Sequence, residues 1–72
     1  MKLSELEAAI EAILFTMGKA VELERIAAAT EQDIDTCRNV IRNMMDKYSK
    51  EDRGIQIIEL DGSFQMCTKA SM

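Results

Sequence analysis

The chain contains no histidine and only two cysteines, Cys37 and Cys67. That leaves too few soft ligands for a four-ligand structural zinc site, so neither a metal nor a cofactor is expected. It also lacks a glycine-rich phosphate loop and any nucleophile with a base at recognisable spacing, and an enzyme is not expected. No apolar run approaches the roughly 20 residues that a membrane-spanning helix needs. "MKL" starts like a signal peptide, but Ser4, Glu5, Glu7 and Glu11 interrupt the apolar segment such a peptide requires. Both cysteines then read as buried thiols in a reducing compartment, and a cytoplasmic protein is expected. Positive charge is in short supply too. Nine Lys and Arg face thirteen Asp and Glu, a net charge of −4, so nucleic acid would have to be held by a local basic patch against the overall field.

With 72 residues, 47% of them hydrophobic, the sequence is that of one small globular domain with one core. Its first segment, "LSELEAAIEAILFTMG", is predicted to be a helix. Ser4 followed by Glu7 forms a capping-box pattern, and Gly18 suits the left-handed residue that ends a helix. Leu6, Ala9, Ile10, Ile13, Leu14 and Met17 make one apolar stripe at helical spacing. Phe15 lies off that stripe, near Ala8 and Ala12 on the opposite side. It either covers an edge of the core, against Val21, or meets a partner.

In "KAVELERIAAATEQD" an extended piece at Ala20 and Val21 precedes a short helix with a buried edge of Leu23, Ile26 and Ala27. Glu22 is a poor cap for it. A third helix begins near Asp33, with Thr30 as the competing cap, and carries Ile34, Cys37, Val40, Ile41, Met44 and Tyr48 at spacings of three and four. After the polar connection "SKEDRG" comes "IQIIELDGSFQMCT", two β-prone runs around Asp61-Gly62, the dipeptide of a tight hairpin turn. Helix, extended segment, helix, turn, helix and hairpin together give an α+β fold, the winged helix, with a helix-turn-helix pair and the hairpin as its wing.

In many winged helices the third helix reads DNA. Here its outward residues include Arg38, Asn39, Arg42 and Asn43, the types that hydrogen-bond guanine and adenine edges. Asp33, Asp35, Asp46, Glu51, Asp52, Glu59 and Asp61 crowd the same helix, loop and wing, where phosphates would have to be neutralised. A solvated helix face is the favoured reading, and a DNA-binding transcription regulator remains the alternative.

The hairpin carries more apolar residues than one core needs. A two-residue loop sets residue 57 opposite residue 66, so that Ile55, Ile57, Phe64 and Met66 share one face and Ile58, Leu60 and Cys67 the other. A three-residue loop would instead leave Ile55 and Ile57 outside. Either way a pair of large aliphatics needs a cover from the chain's own first helix, from further chain, or from another subunit. Candidate partner-binding residues are therefore Ala8, Ala12 and Phe15, extended by Ile58 and Leu60 if the loop has two residues, and a homodimer is expected.

"AAIEAILFTMGKAVELERIA" and "EDRGIQIIELDGSFQMCTK" resemble the amino-terminal winged-helix domain of the segregation and condensation protein B family. The resemblance runs from about Glu7 to Lys69 and rests on "IEAILF" ending at a glycine, and on "DRGI" leading into a hairpin with an aromatic, Phe64, after the turn. It implies a non-catalytic accessory subunit with two successive winged helices that dimerises largely through the first. The implied partners are the kleisin subunit, segregation and condensation protein A, and through it the SMC ATPase, in chromosome condensation and segregation. Specific DNA binding by this domain is not expected. The chain would then be the amino-terminal fragment of a longer protein. It departs from the family pattern at Lys19-Ala20, where a proline is common before Val21. Glu22 replaces a Ser or Thr cap, and Glu31 stands at a turn where glycine is common.

Overall fold

The structure, a computed structural model, describes residues 1–69. Its elements in chain order are α1 (Leu3–Met17), β1 (Val21–Glu22), α2 (Leu23–Thr30), α3 (Ile34–Lys50), β2 (Ile55–Leu60) and β3 (Ser63–Thr68). This is the winged-helix arrangement that the sequence predicts.

Helix α1 starts earlier than the Ser4 capping box suggests. Ser4 lies inside the first turn, and the cap is Lys2, whose amide donates to the Glu5 carboxylate at 2.9 Å. The reciprocal logic of a capping box survives in half, shifted by two residues, because Glu5 stands three positions after Lys2 and can reach back to it. Gly18 closes the helix with φ 64°, and its amide donates to the Leu14 carbonyl.

At the other end of the helix-turn-helix pair, Glu22 caps α2 with backbone alone, with no side-chain bond. Thr30 does not start α3. It is the buried last residue of α2, and its hydroxyl donates to the Ile26 carbonyl at 2.8 Å and lies 3.5 Å from the Cys37 sulfur. The turn passes through Glu31 at φ 57°, a left-handed conformation that a glycine would adopt without strain. Asp33 then caps α3 as expected: one carboxylate oxygen accepts from the Thr36 amide at 3.0 Å, the other from the Thr36 hydroxyl at 2.7 Å. Those two bonds favour the ionised form and hold the Asp33 pKa below its ordinary value.

The hairpin has the two-residue loop. Asp61 and Gly62 take φ 48° and 88°, Leu60 pairs with Ser63, and Ile57 pairs with Met66. The extended piece before α2 is more than a linker. As β1 it pairs with β3, Val21 against Phe64, and completes a three-stranded antiparallel sheet of order β1-β3-β2.

One core joins these parts. Leu6, Ile10 and Leu14 of α1, Leu23 and Ile26 of α2, Cys37, Val40, Ile41, Met44 and Tyr48 of α3, and Ile57 and Phe64 of the hairpin are all buried. Ile55 and Met66 pack on its edge. The two-residue register thus turns Ile55, Ile57, Phe64 and Met66 inward, as predicted for that loop. Ile34, placed by its spacing on the buried stripe, is 39% exposed: as the first residue of α3 it stands beyond the end of the core.

Candidate functional site

Among the described residues, no three of His, Cys, Asp and Glu come together in a way that could hold a metal ion, and no helix is long and apolar enough to cross a membrane. The features left for function are surfaces. The four residues with DNA-reading potential are placed on the outside of α3, but the two cations among them are engaged. Arg38 is held by Asp35 at 2.7 Å, and Arg42 lies 3.6 Å from Glu59 of the wing. Asn39 and Asn43 are exposed beside them. A guanidinium that faces a carboxylate offers a phosphate or a guanine edge little net attraction.

Helix α1 shows the opposite character on its outer flank. Phe15 is 76% exposed, and Ala8 and Ala12 beside it are exposed as well. Phe15 is therefore not a plug over Val21. The groove above Val21 is bordered by Ala12, Ile13, Thr16, Met17, Arg25 and Ala29, whereas Phe15 borders a different groove with Leu14, Gly18, Ile55, Met66, Cys67 and Thr68. A large aromatic beside two alanines gives a projecting anchor with room for close approach next to it.

The remaining two candidates stand elsewhere. Ile58 is half-buried and Leu60 is 46% exposed, both on the sheet face turned away from the core. Since α1 packs on the inner face, Ile58 and Leu60 do not extend the Phe15 flank; they form a second apolar surface on the far side of the sheet.

A polar cluster that the sequence patterns do not reveal ties α1 to α3. The Tyr48 hydroxyl donates to Glu11 at 2.6 Å, Lys47 pairs with Glu7 at 3.4 Å, and the Arg53 guanidinium lies 4.6 Å from the Tyr48 ring centre while bonding Glu51. Burial, with the Glu11 carboxylate next, pushes the Tyr48 pKa up to about 12. The signal that could have found it is Tyr48 at the polar end of the third helix's stripe, where a phenol buries its ring and seeks a partner for its hydroxyl. Lys69 completes the anchoring, donating to the Tyr48 and Glu51 carbonyls at 2.6 and 3.0 Å and so binding the end of β3 to the end of α3.

The model of the family described as segregation and condensation complex subunit ScpB matches residues 8–72. The chain belongs to the ScpB family. It is 67% identical to segregation and condensation protein B of Lachnoclostridium phytofermentans over 72 residues, all of this chain and 38% of that protein. It is 49% identical to the protein of the same name from Agathobacter rectalis, over 92% of this chain and 36% of the relative. The chain thus spans a little over a third of the length of these ScpB relatives. Among solved structures it resembles a crystal structure of a dimer of ScpB N-terminal domain complexed with ScpA peptide, with TM-score 0.90 and 36% identity over 96% of this chain and 86% of that one. It also resembles ScpB from Mycobacterium tuberculosis, with TM-score 0.93 and 28% identity over 99% of this chain and 44% of that one.

Proposed function

We propose that this chain is the amino-terminal winged helix of a longer, cytoplasmic ScpB protein with a second winged helix, and that it acts without catalysis as a scaffold. In this reading it pairs with a second copy, binds the kleisin ScpA, and through it serves the SMC ATPase in chromosome condensation and segregation. The observation that carries the reading is Phe15, a large aromatic exposed beside Ala8 and Ala12 on the outer flank of a helix that buries Leu6, Ile10 and Leu14 in the core. Symmetric pairing is the commonest way for a soluble chain to cover such a side chain. The crystal structure it resembles is a dimer with bound ScpA peptide, which supports both contacts.

Ala8, Ala12 and Phe15 form the copy-to-copy contact, and Ile58 and Leu60 offer the second surface to other parts of the assembly. Covering a pair of large aliphatics contributes on the order of 3 to 5 kcal/mol before the cost of association. Size-exclusion chromatography with light scattering, on the protein alone and mixed with ScpA from the same organism, tests this. The expected result is a dimer that shifts to a larger complex with ScpA. A mixture that elutes as two separate species would contradict the reading.

A further inference from the structure

The helices end in two ways. Helices α1 and α2 close on left-handed residues, Gly18 at φ 64° and Glu31 at φ 57°, whereas α3 runs into Glu51 in an extended conformation, φ −86° and ψ 157°. Its last carbonyls need another partner. Lys69, beyond the far end of β3, supplies it: its ammonium donates to the Tyr48 carbonyl at 2.6 Å and to the Glu51 carbonyl at 3.0 Å, where the helix presents its negative pole. The Lys69 amide donates to the Gly54 carbonyl at 2.9 Å, so one residue is fixed both to the end of α3 and to the start of β2.

The hairpin is held differently at its two ends. Near the turn, β1 pairs with Ser63 and Phe64, and the Leu23 amide donates to the Gly62 carbonyl at 3.1 Å. The open end lies beyond the reach of the two-residue β1. There Ile55 pairs with Thr68, the one half-buried and the other exposed, and strand ends of this kind fray unless they are tied down. We infer that Lys69 is the latch of this open end, and that by capping α3 it holds the outer face of the wing, with Ile58 and Leu60, in a fixed position relative to the Phe15 flank of α1. The path between the two surfaces is continuous. Lys69 holds the Tyr48 backbone, the Tyr48 hydroxyl holds Glu11 at 2.6 Å, and Glu11 stands one turn before Phe15. The use made of this rigidity rests on the scaffold reading, whereas the latch stands on its own geometry and is tested with no partner present.

Hydrogen exchange followed residue by residue by NMR, on native protein, Lys69→Met and Lys69→Arg, provides the test. Methionine keeps an unbranched stem without the charge, and arginine restores both charge and donors. The expected result is that Lys69→Met lowers protection of the Glu51 and residue 69 amides at least about tenfold, changes Ile10 and Leu14 of α1 less than about twofold, and that Lys69→Arg behaves as the native chain does. A uniform loss of protection in all these places would make Lys69 a general contributor to stability and overturn the latch. Unchanged protection at Glu51 and residue 69 would overturn it as well. Competitive acylation of native protein with a trace of acetic anhydride gives a reading that does not depend on the folding of any variant. Lys69, engaged by two carbonyls, should react at least about tenfold more slowly than the exposed Lys19, and equal rates would overturn the inference.

Discussion

Tyr48 donates its hydroxyl hydrogen to Glu11 across 2.6 Å, linking the last turns of α3 to the middle of α1. Arg53 covers the ring from the other side. The chain has one tyrosine, so its ionisation can be followed without ambiguity. Absorbance titration of the native protein should show a phenol midpoint near 12, against about 10 in the unfolded chain. The sign follows directly: a raised folded pKa leaves stability complete below pH 10 and erodes it as pH rises from there through 12. Glu11→Gln removes a negative charge and should bring the native midpoint down. An unaltered midpoint would mean that burial alone sets it.

The turn between α2 and α3 offers a pair of opposite effects. Glu31→Gly relieves a left-handed backbone and should stabilise the domain by about 1 kcal/mol. Asp33→Ala removes both bonds to Thr36 and should lower the melting temperature. Because the Asp33 pKa is lowered on folding, that difference is full at neutral pH and disappears as pH falls below the ordinary aspartate range and through the folded value. Thermal melts of both variants at neutral and acid pH check the two signs together.

The thiols separate by depth. Cys37 is fully buried against Thr30 as expected, whereas Cys67, also expected to be buried, is half-exposed because the hairpin register turns it to the outer sheet face. Alkylation of native protein should modify Cys67 first and reach Cys37 only on unfolding. Prompt labelling of Cys37 would mean that α3 presents a different face to the core.

Arg38 and Arg42 lead to an expectation about DNA. With each held by a carboxylate, the domain should show no sequence-dependent duplex binding at physiological salt. Sub-micromolar, sequence-dependent binding lost on Arg38→Ala and Arg42→Ala would contradict it.

Much of this fold is legible in the sequence where one residue type answers one backbone need. Gly18 ends α1, Asp33 starts α3, and Asp61-Gly62 sets the register that decides which wing residues are buried. What depends on neighbours distant in sequence is less so. Nothing local tells Val21 and Glu22 that they will pair with Phe64 and Ser63, and the alternative caps Ser4 and Thr30 look as suitable as Lys2 and Asp33 until the helices are packed. The candidate contact residues show the same division. Helical spacing puts Phe15 with Ala8 and Ala12, but only the packing of α1 on the inner face of the sheet reveals that Ile58 and Leu60 belong to another surface. The Tyr48 cluster likewise exists only once the tertiary partners of its charges are known.

Sedimentation equilibrium, at concentrations on the order of tens of micromolar, of native protein, Phe15→Glu and Leu60→Glu tests the scaffold reading most directly. A charge in place of an exposed aromatic should leave the monomer folded, so helical content is expected to hold while the dimer fraction of Phe15→Glu falls steeply; Leu60→Glu, on the other side of the sheet, should keep the native dimer. A native protein that is strictly monomeric across this range, or a Phe15→Glu variant that dimerises as the native chain does, would contradict it.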